Sequence, residues 1–516
     1  MSSMPSRQPV TLTRRSLLAS TAVLGVGATV GCSQDAGRSD AGENLRFDLP
    51  DPVGSFPTED IEFRLVDSND TKVPFWKSFF AAYEKKHPHV STQYDGLPWA
   101  RIEEVVPLGF RNGSAHDLIQ LPDWAIPLSQ AVDAEWIAPL DDHIPDFENW
   151  KQNVPGTSLV EGVQVFDGKL YQVRISSDRR YQASLHYSKR LLNDVGFDPQ
   201  TEPLTWDTYR EAARKVTEKG DGQAYGVILE IGSPGRLASW VAYFARIAGA
   251  PVVDDILQPS GEFYYTTDEV KAAIDLLLAV QSDGSIFPGS GSLTSPECWP
   301  RVARENAAMV SGGPWITVFF EKENPDFEFG VGAHPAPAGA DPVPVGYTTI
   351  GGDAFCMFAG SQAKDVAGDI LGYVTSLPGQ TNWGEITGVG NPPVLDEAAQ
   401  ASAEKWSEPA RMCLTLANTM VAKPEPVIAN PDVAKVARNQ KPVSPNFGDV
   451  IQAILVGEVS DVDKALQDVK DRSERAFDEA IKEAQQREGS TATRDDYVFA
   501  NWDPMSDYTL EHYAGR

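Results

Sequence analysis

Four cysteines in 516 residues are too few for a disulfide framework to hold a fold of this size together. Seven histidines occur, but no His-Glu-x-x-His and no Cys-x-x-Cys, so metalloprotease and zinc-finger chemistry find no support. The phosphate-cradling Gly-x-x-x-x-Gly-Lys-Ser/Thr loop and the Gly-x-Ser-x-Gly nucleophile elbow are absent as well,. Basic residues are scarce: 44 Lys plus Arg stand against 73 Asp plus Glu, a net charge of −29. A chain this acidic repels nucleic acid and anionic lipid. No metal and no cofactor is expected. His87-Pro88-His89 is the nearest metal candidate, and Pro88 makes it a helix-to-strand turn. The many acids could supply a glycosidase pair, yet nothing singles out two of them. Hydrophobic residues at 41% and charged residues at 23% describe an ordinary globular protein of two or three folding units.

What is present begins at the N-terminus. Residues 1–31 hold no acid and three arginines, Arg7, Arg14 and Arg15. Leu17 to Gly31 is uncharged, too short to span a bilayer comfortably but suited to the apolar core of a secretory signal,. Arg14 and Arg15 before Ser16-Leu17-Leu18 resemble the twin-arginine export signal,. Thr29-Val30-Gly31-Cys32 resembles a bacterial lipobox, whose cysteine receives a lipid and becomes the mature N-terminus. The expected location is therefore the cell membrane, lipid-anchored on the extracytoplasmic face. Losing three arginines leaves 41 − 73 = −32 on the mature chain. Cys298, Cys356 and Cys413 then allow at most one bridge, and Cys356, inside the apolar run Ala354 to Ala359, reads as buried and inert,.

Residues 32–60 are rich in Gly, Ser, Pro and acids and read as a flexible tether,. Order begins with the alternation Ile61-Glu62-Phe63-Arg64-Leu65-Val66, a strand that ends in the polar turn Asp67 to Asp70,. A helix is expected from about Pro74 to Lys86, with further strands at His89–Tyr94 and Ala115–Gln120. Strands alternating with helices indicate α/β layers whose strand-end loops are available for binding. Thr205 should cap a helix from Trp206 to Lys219 that Gly220 stops, and Thr266 with Glu269 forms a capping box before Val270,. The aromatic tail (Tyr497, Phe499, Trp502, Tyr508, Tyr513) should pack back on the body.

Several segments together resemble the family 1 extracellular solute-binding proteins, the receptors of carbohydrate ABC importers. Asp167-Gly168-Lys169-Leu170-Tyr171 is similar to the family's GK-x-Y strand, and Leu185 to Leu192 to its LYYNK-x-LF segment. Pro203-Leu204-Thr205-Trp206-Asp207 is similar to its P-x-TW opening of a helix. Ala307-Ala308-Met309 through Gly312-Gly313-Pro314-Trp315, then Gly351-Gly352-Asp353, and Gly390-Asn391-Pro392-Pro393 follow in the family's order. The chain departs from the pattern at Ser188, where Asn is usual, and at Gln172-Val173-Arg174. The resemblance implies a two-lobed α/β periplasmic-binding-protein fold, type II-like, with hinge strands and a ligand cleft between the lobes. Carried onto this chain, one lobe is 61–181 with 349–395, the other 183–347 with 396–485, and 486–516 is a C-terminal tail. Hinges are expected near Asp178–His186, Tyr347–Thr349 and Pro393–Asp396.

A sugar presents apolar ring faces and many hydroxyls, so its site needs aromatic faces beside carboxylates, amides and arginine. Strand-end positions put Asp67, Asn69, Trp99, Asp123 and Trp124 forward in the first lobe, and Trp240 and Trp315 in the second. Arg179 and Tyr181 lie beside the first hinge, in a cluster with Arg174 and Arg180. Gly351, Gly352 and Asp353 lie where the chain crosses back. Trp206 and Trp383 are expected in the core. The implied function is a non-enzymatic, monomeric solute receptor with a carbohydrate ligand and ABC permease subunits as partners. An anionic solute such as a glycerophosphate, or a surface glycoside hydrolase, are the alternatives.

Overall fold

The alternation at 61–66 becomes the strand Ile61–Ser68 in a computed structural model that describes residues 47–52, 56–68, 71–122, 126–253, 257–339 and 341–516. The signal 1–31, with Arg14 and Arg15, lies outside the described residues, as do Cys32, Asn69, Asp123 and Trp124. Leu65 and Val66 point to opposite faces of the strand and enter two different apolar clusters,. On one face Phe63 and Leu65 meet Phe75, Trp76 and Phe79 of the helix Val73–Lys86, with Trp383 behind them. On the other, Val66 and Ile119 meet Ile102, Val106 and Phe110 of the helix Trp99–Asn112. A helix on each side of a sheet is what two apolar faces require.

This first sheet runs in the order 90–97, 61–68, 118–120, 354–358, 137–138, and 172–174 also pairs with 354–358. The first three strands are parallel; Ala354–Phe358 enters antiparallel from far along the chain. A second sheet has the order 329–332, 184–188, 307–312, 225–227. The helices Trp206–Gly220, Pro234–Ile247, Asp268–Ser282, Phe447–Leu455 and Val462–Glu488 supply much of its core.

Cap chemistry sets the helix starts. Thr205 accepts from the Thr208 amide at 3.2 Å, as its sequence position suggests. The helix runs through Gly220, and Asp221 takes the left-handed turn that ends it. The next cap lies one residue later than expected: Thr267, not Thr266, accepts from the Val270 amide at 3.4 Å. Ser188, where the family usually has Asn, caps the helix Lys189–Asn193 by accepting from the Leu191 amide at 3.1 Å.

The chain passes between the two sheets around 175–183, 346–353 and 391–396, and the three passages meet at Ser176. The Ile175 amide donates to the Asp353 carbonyl at 2.8 Å, the Ser177 amide donates to the Pro392 carbonyl at 2.9 Å, and Ser176 bridges Pro393. Gly352 has φ +127°, and a Cβ there would run into the Ser176 carbonyl oxygen. Only glycine fits. Arg174 ties the passages further by donating to the carbonyls of Thr349 (2.6 Å) and Gly351 (2.9 Å). Burial lowers its pKa to about 10.

The tail folds back onto the second lobe. Phe499, Trp502 and Tyr508 are buried with Val253 and Val421, the Arg246 guanidinium lies 4.9 Å from the Trp502 ring, and the Tyr508 amide donates to the Ala422 carbonyl at 2.8 Å. Cys298, Cys356 and Cys413 are all buried thiols rather than disulfides, and burial pushes those of Cys298 and Cys413 up to about 12. Among the described residues no helix is long and apolar enough to cross a membrane.

Candidate functional site

The polar turn after the first strand is not a solvated loop. Asp67 and Lys72 are both 0% exposed. The helix that starts at Val73 carries Trp76 over the turn, and its indole N–H donates to Asp67 Oδ2 at 2.8 Å. The Tyr94 hydroxyl, from the neighbouring strand, donates to Asp67 Oδ1 at 2.6 Å. Asp67 thereby becomes a fixed counter-charge for Lys72 Nζ, 3.7 Å from Oδ2. Lys72 donates to Gln120 Oε1 at 2.8 Å, and Gln120 donates from Nε2 to Asp353 Oδ1 at 2.9 Å. Lys72 Nζ also lies 3.7 Å from Asp353 Oδ2 and 6.0 Å from the centre of the half-buried Trp99 ring.

Asp353 closes the network toward the passages between the lobes. Ser176 Oγ accepts its amide at 2.8 Å, and Arg180 lies 3.9 Å from Oδ2. Burial alone would raise the Asp353 carboxyl, but Lys72, Arg180 and the hydroxyl of Ser176 hold it below its usual range,. Arg180 also donates to Asn391 Oδ1 at 3.2 Å and pairs with Asp178 at 3.5 Å; Asn391 in turn donates to Thr71 at 2.6 Å. One connected set of charges and amides thus joins the first lobe to all three passages. Buried charges persist only when paired this way.

A second cluster belongs to the other lobe. Trp315 opens the helix Trp315–Glu323 behind Gly312-Gly313-Pro314, and its ring lies against Gly313, where a Cβ would overlap it. The Arg236 guanidinium sits 5.6 Å from the ring centre and pairs through Nε with the buried Glu230 at 3.1 Å. Val318 of the same helix reaches the turn 388–390 beside Asn391, which places this cluster's helix at the junction of the lobes.

The remaining expected site residues divide. Arg179 stays at the junction, its guanidinium 5.4 Å from the Tyr347 ring and its Nε donating to the Ala417 carbonyl at 3.2 Å. Gly351 and Gly352 shape the second passage beside Asp353. Tyr181 is 6% exposed and Trp240 2% exposed, both inside the second-lobe core. Trp240 is there because Leu237, Trp240, Val241 and Phe244 share one helix face,. That corrects its placement in the cleft; the periodicity was visible in the sequence. Lys72, Gln120, Asp178 and Asn391 belong to the first cluster and Glu230 and Arg236 to the second without having been singled out from the sequence, whereas Arg180 had been named with the hinge arginines. Trp383 is buried in the first-lobe core and Trp206 packs against the second. His87 and His89 pack edge to face 6.3 Å apart, and among the described residues no three His, Cys, Asp or Glu side chains group to hold a metal.

Residues 68–381, more than half of the chain, match the bacterial extracellular solute-binding protein family. The chain belongs to that family. Solved structures share the fold across its two-lobed length. The cyclic alpha-maltosyl-1,6-maltose binding protein of Arthrobacter globiformis is 20% identical with a TM-score of 0.56, covering 81% of this chain and 99% of its own. The GacH receptor of Streptomyces glaucescens is 18% identical with a TM-score of 0.60, covering 81% and 98%. The MalE domain of Bdellovibrio bacteriovorus is 19% identical with a TM-score of 0.59, covering 80% and 99%. This solute-binding protein is therefore a mixed α/β, two-lobed molecule. The paired charges and amides around Lys72, Asp353 and Arg180, with the half-buried Trp99 and Trp315, make up the candidate site.

Proposed function

We propose that this protein is the extracytoplasmic receptor of an ABC importer, anchored by a lipid on Cys32, that binds a neutral sugar or oligosaccharide between its lobes and delivers it to the permease. The observation that carries a neutral ligand is the state of the arginines at the passages. Arg174 serves backbone carbonyls, Arg179 faces Tyr347 and a carbonyl, and Arg180 faces Asp178, Asp353 and Asn391. Each has protein partners, and Lys72 sits between two carboxylates. A phosphate would have to break those pairs, whereas hydroxyls can add to them. The Arthrobacter, Streptomyces and Bdellovibrio proteins bind cyclic alpha-maltosyl-1,6-maltose, acarbose and maltotriose respectively, which supports a saccharide here.

A thermal-shift screen of the purified protein against maltotriose, raffinose, acarbose and a set of sugar phosphates tests this. A ligand at 100 times its dissociation constant adds about 2.7 kcal/mol to stability. The expected result is a raised melting temperature with one or more neutral saccharides. Stabilisation by sugar phosphates alone would overturn the neutral ligand, and no stabilisation by any of them would overturn the saccharide.

A further inference from the structure

The three passages are not the only place where the lobes touch. In the first lobe the helix Leu128–Asp133 follows the strand Leu118–Gln120. In the second, the helix Val433–Asn439 anchors Val433 and Val436 in the core. No strand joins these two helices, yet Asp133 meets Arg438 at 2.5 Å and the Ser129 hydroxyl donates to the Ala434 carbonyl at 3.4 Å. Beside them a Cβ on Gly162 would lie 2.9 Å from Pro431.

The two sides of this contact are built differently. The second-lobe side is fixed. Arg438 Nε donates to Glu488 Oε2 at 2.6 Å, and Asn439 donates to Glu488 Oε1 at 2.5 Å. Burial would raise the Glu488 carboxyl, but Arg438 and Asn439 hold it below its usual range. Just before the helix, Asp432 accepts from the Thr491 amide (2.6 Å) and hydroxyl (2.9 Å) and pairs with Lys435 at 2.6 Å. So the end of the helix Val462–Glu488 and the start of the tail hold Arg438 in place whatever the first lobe does. Its side chain is only 14% exposed, while that of Asp133 is 59% exposed.

That asymmetry makes the contact easy to break and remake. If the lobes part, Asp133 returns to water at little cost and Arg438 keeps Glu488 as its partner. We propose that Asp133 and Arg438 form a ligand-independent latch that biases the empty receptor toward the arrangement in which these two helices touch. An exposed ion pair shifts an equilibrium by up to about fivefold. That is enough to redistribute lobes poised between touching and parted arrangements. The inference rests on the reading of two lobes that close on a ligand, but its test uses no ligand.

Small-angle scattering of the purified protein at low ionic strength, with no solute added, reads the latch directly. Asp133→Lys sets like charge against Arg438 and should raise the radius of gyration. Asp133→Glu should keep the wild-type value. The exposure of Asp133 leaves folding intact, which circular dichroism of both variants checks. Raising salt to 1 M, where the screening length is about 3 Å, should move the wild type toward the Asp133→Lys radius. Equal radii for wild type and Asp133→Lys at low salt would overturn the latch. A failed sugar screen would leave that radius comparison unaffected, so the two readings fail separately.

Discussion

Trp315→Ala separates a ring that meets the ligand from a ring that holds the second lobe together. The side chain is half-buried, with Gly313 on one side and Arg236 beside its face. A stacking aromatic at a binding hot spot contributes on the order of 1–3 kcal/mol, so the variant should bind its saccharide roughly 5- to 150-fold more weakly. It should melt near the wild-type temperature. A core tryptophan behaves oppositely, losing about 3–5 kcal/mol of stability when truncated. Calorimetric titration and melting of one variant decide, and wild-type affinity with a lowered melting temperature would remove Trp315 from the site. Gly352→Ala concerns the passages instead. The backbone at φ +127° disfavours any side chain by about 1–3 kcal/mol, and the new Cβ must displace Ser176. A clearly lower melting temperature is expected; an unchanged one would show that the passage relaxes freely.

At this scale the candidate cluster was half legible. Asp67, Trp99, Trp315 and Asp353 stand at strand ends, helix starts or glycine-flanked turns, which local sequence reveals. Lys72 stands in a polar turn and looks solvated. It is buried because Asp67, Gln120 and Asp353 converge on it, and Asp353 arrives from far along the chain. No local pattern encodes a partner that distant.

Elements were read best where one periodicity dominates. The strand at 61 and the helices from Val73 and Trp206 appear within a few residues of their expected bounds. The Thr266 and Thr267 pair shows the resolution limit: both carry the capping hydroxyl, and only the backbone at Thr267, extended with ψ 156°, presents it,. The tail was read from composition alone, since aromatics imply packing without saying against what. Its anchor is Trp502, buried against Val253 and Val421 and faced by Arg246. Trp502→Ala should therefore cost about 3–5 kcal/mol in urea unfolding. Wild-type stability would show that the tail contributes little to the second lobe.

For the whole molecule, the expectations of anchoring and export rest on the first residues alone, which lie outside the described residues. If Cys32 carries the lipid, Cys32→Ala should move the protein from the membrane fraction into the medium or periplasm. Fractionation and immunoblotting read this, and unchanged membrane retention would overturn the lipid anchor. The two lobes were legible through the ordered motifs, whereas the contact between the helices at 128–133 and 433–439 was not, because it depends on how two separate folding units meet.

Acid stability is also a property of the whole chain, with opposing contributions. Lowering the pH relieves the self-repulsion of a surface at −29, which favours folding. Two buried histidines act the other way. His186, hydrogen-bonded with Thr317 at 3.0 Å, and His334, 4.1 Å from the Phe244 ring, are held neutral by burial, with pKa values lowered to about 3. In the unfolded chain both protonate near 6.5. Between those values the unfolded state binds two more protons than the folded one, so stability falls as pH falls from about 6.5 toward 3. The slope from the pair is on the order of 2–3 kcal/mol per pH unit. Urea unfolding at pH 7, 5 and 4 should show that decline in the wild type. The double variant His186→Gln with His334→Gln starts from a lower stability at pH 7 but should lose less between pH 6.5 and 4, because it has no imidazole to protonate on unfolding. Parallel slopes in the two proteins would mean that the carboxylates, led by the salt-bridged Asp353, set the acid limit alone.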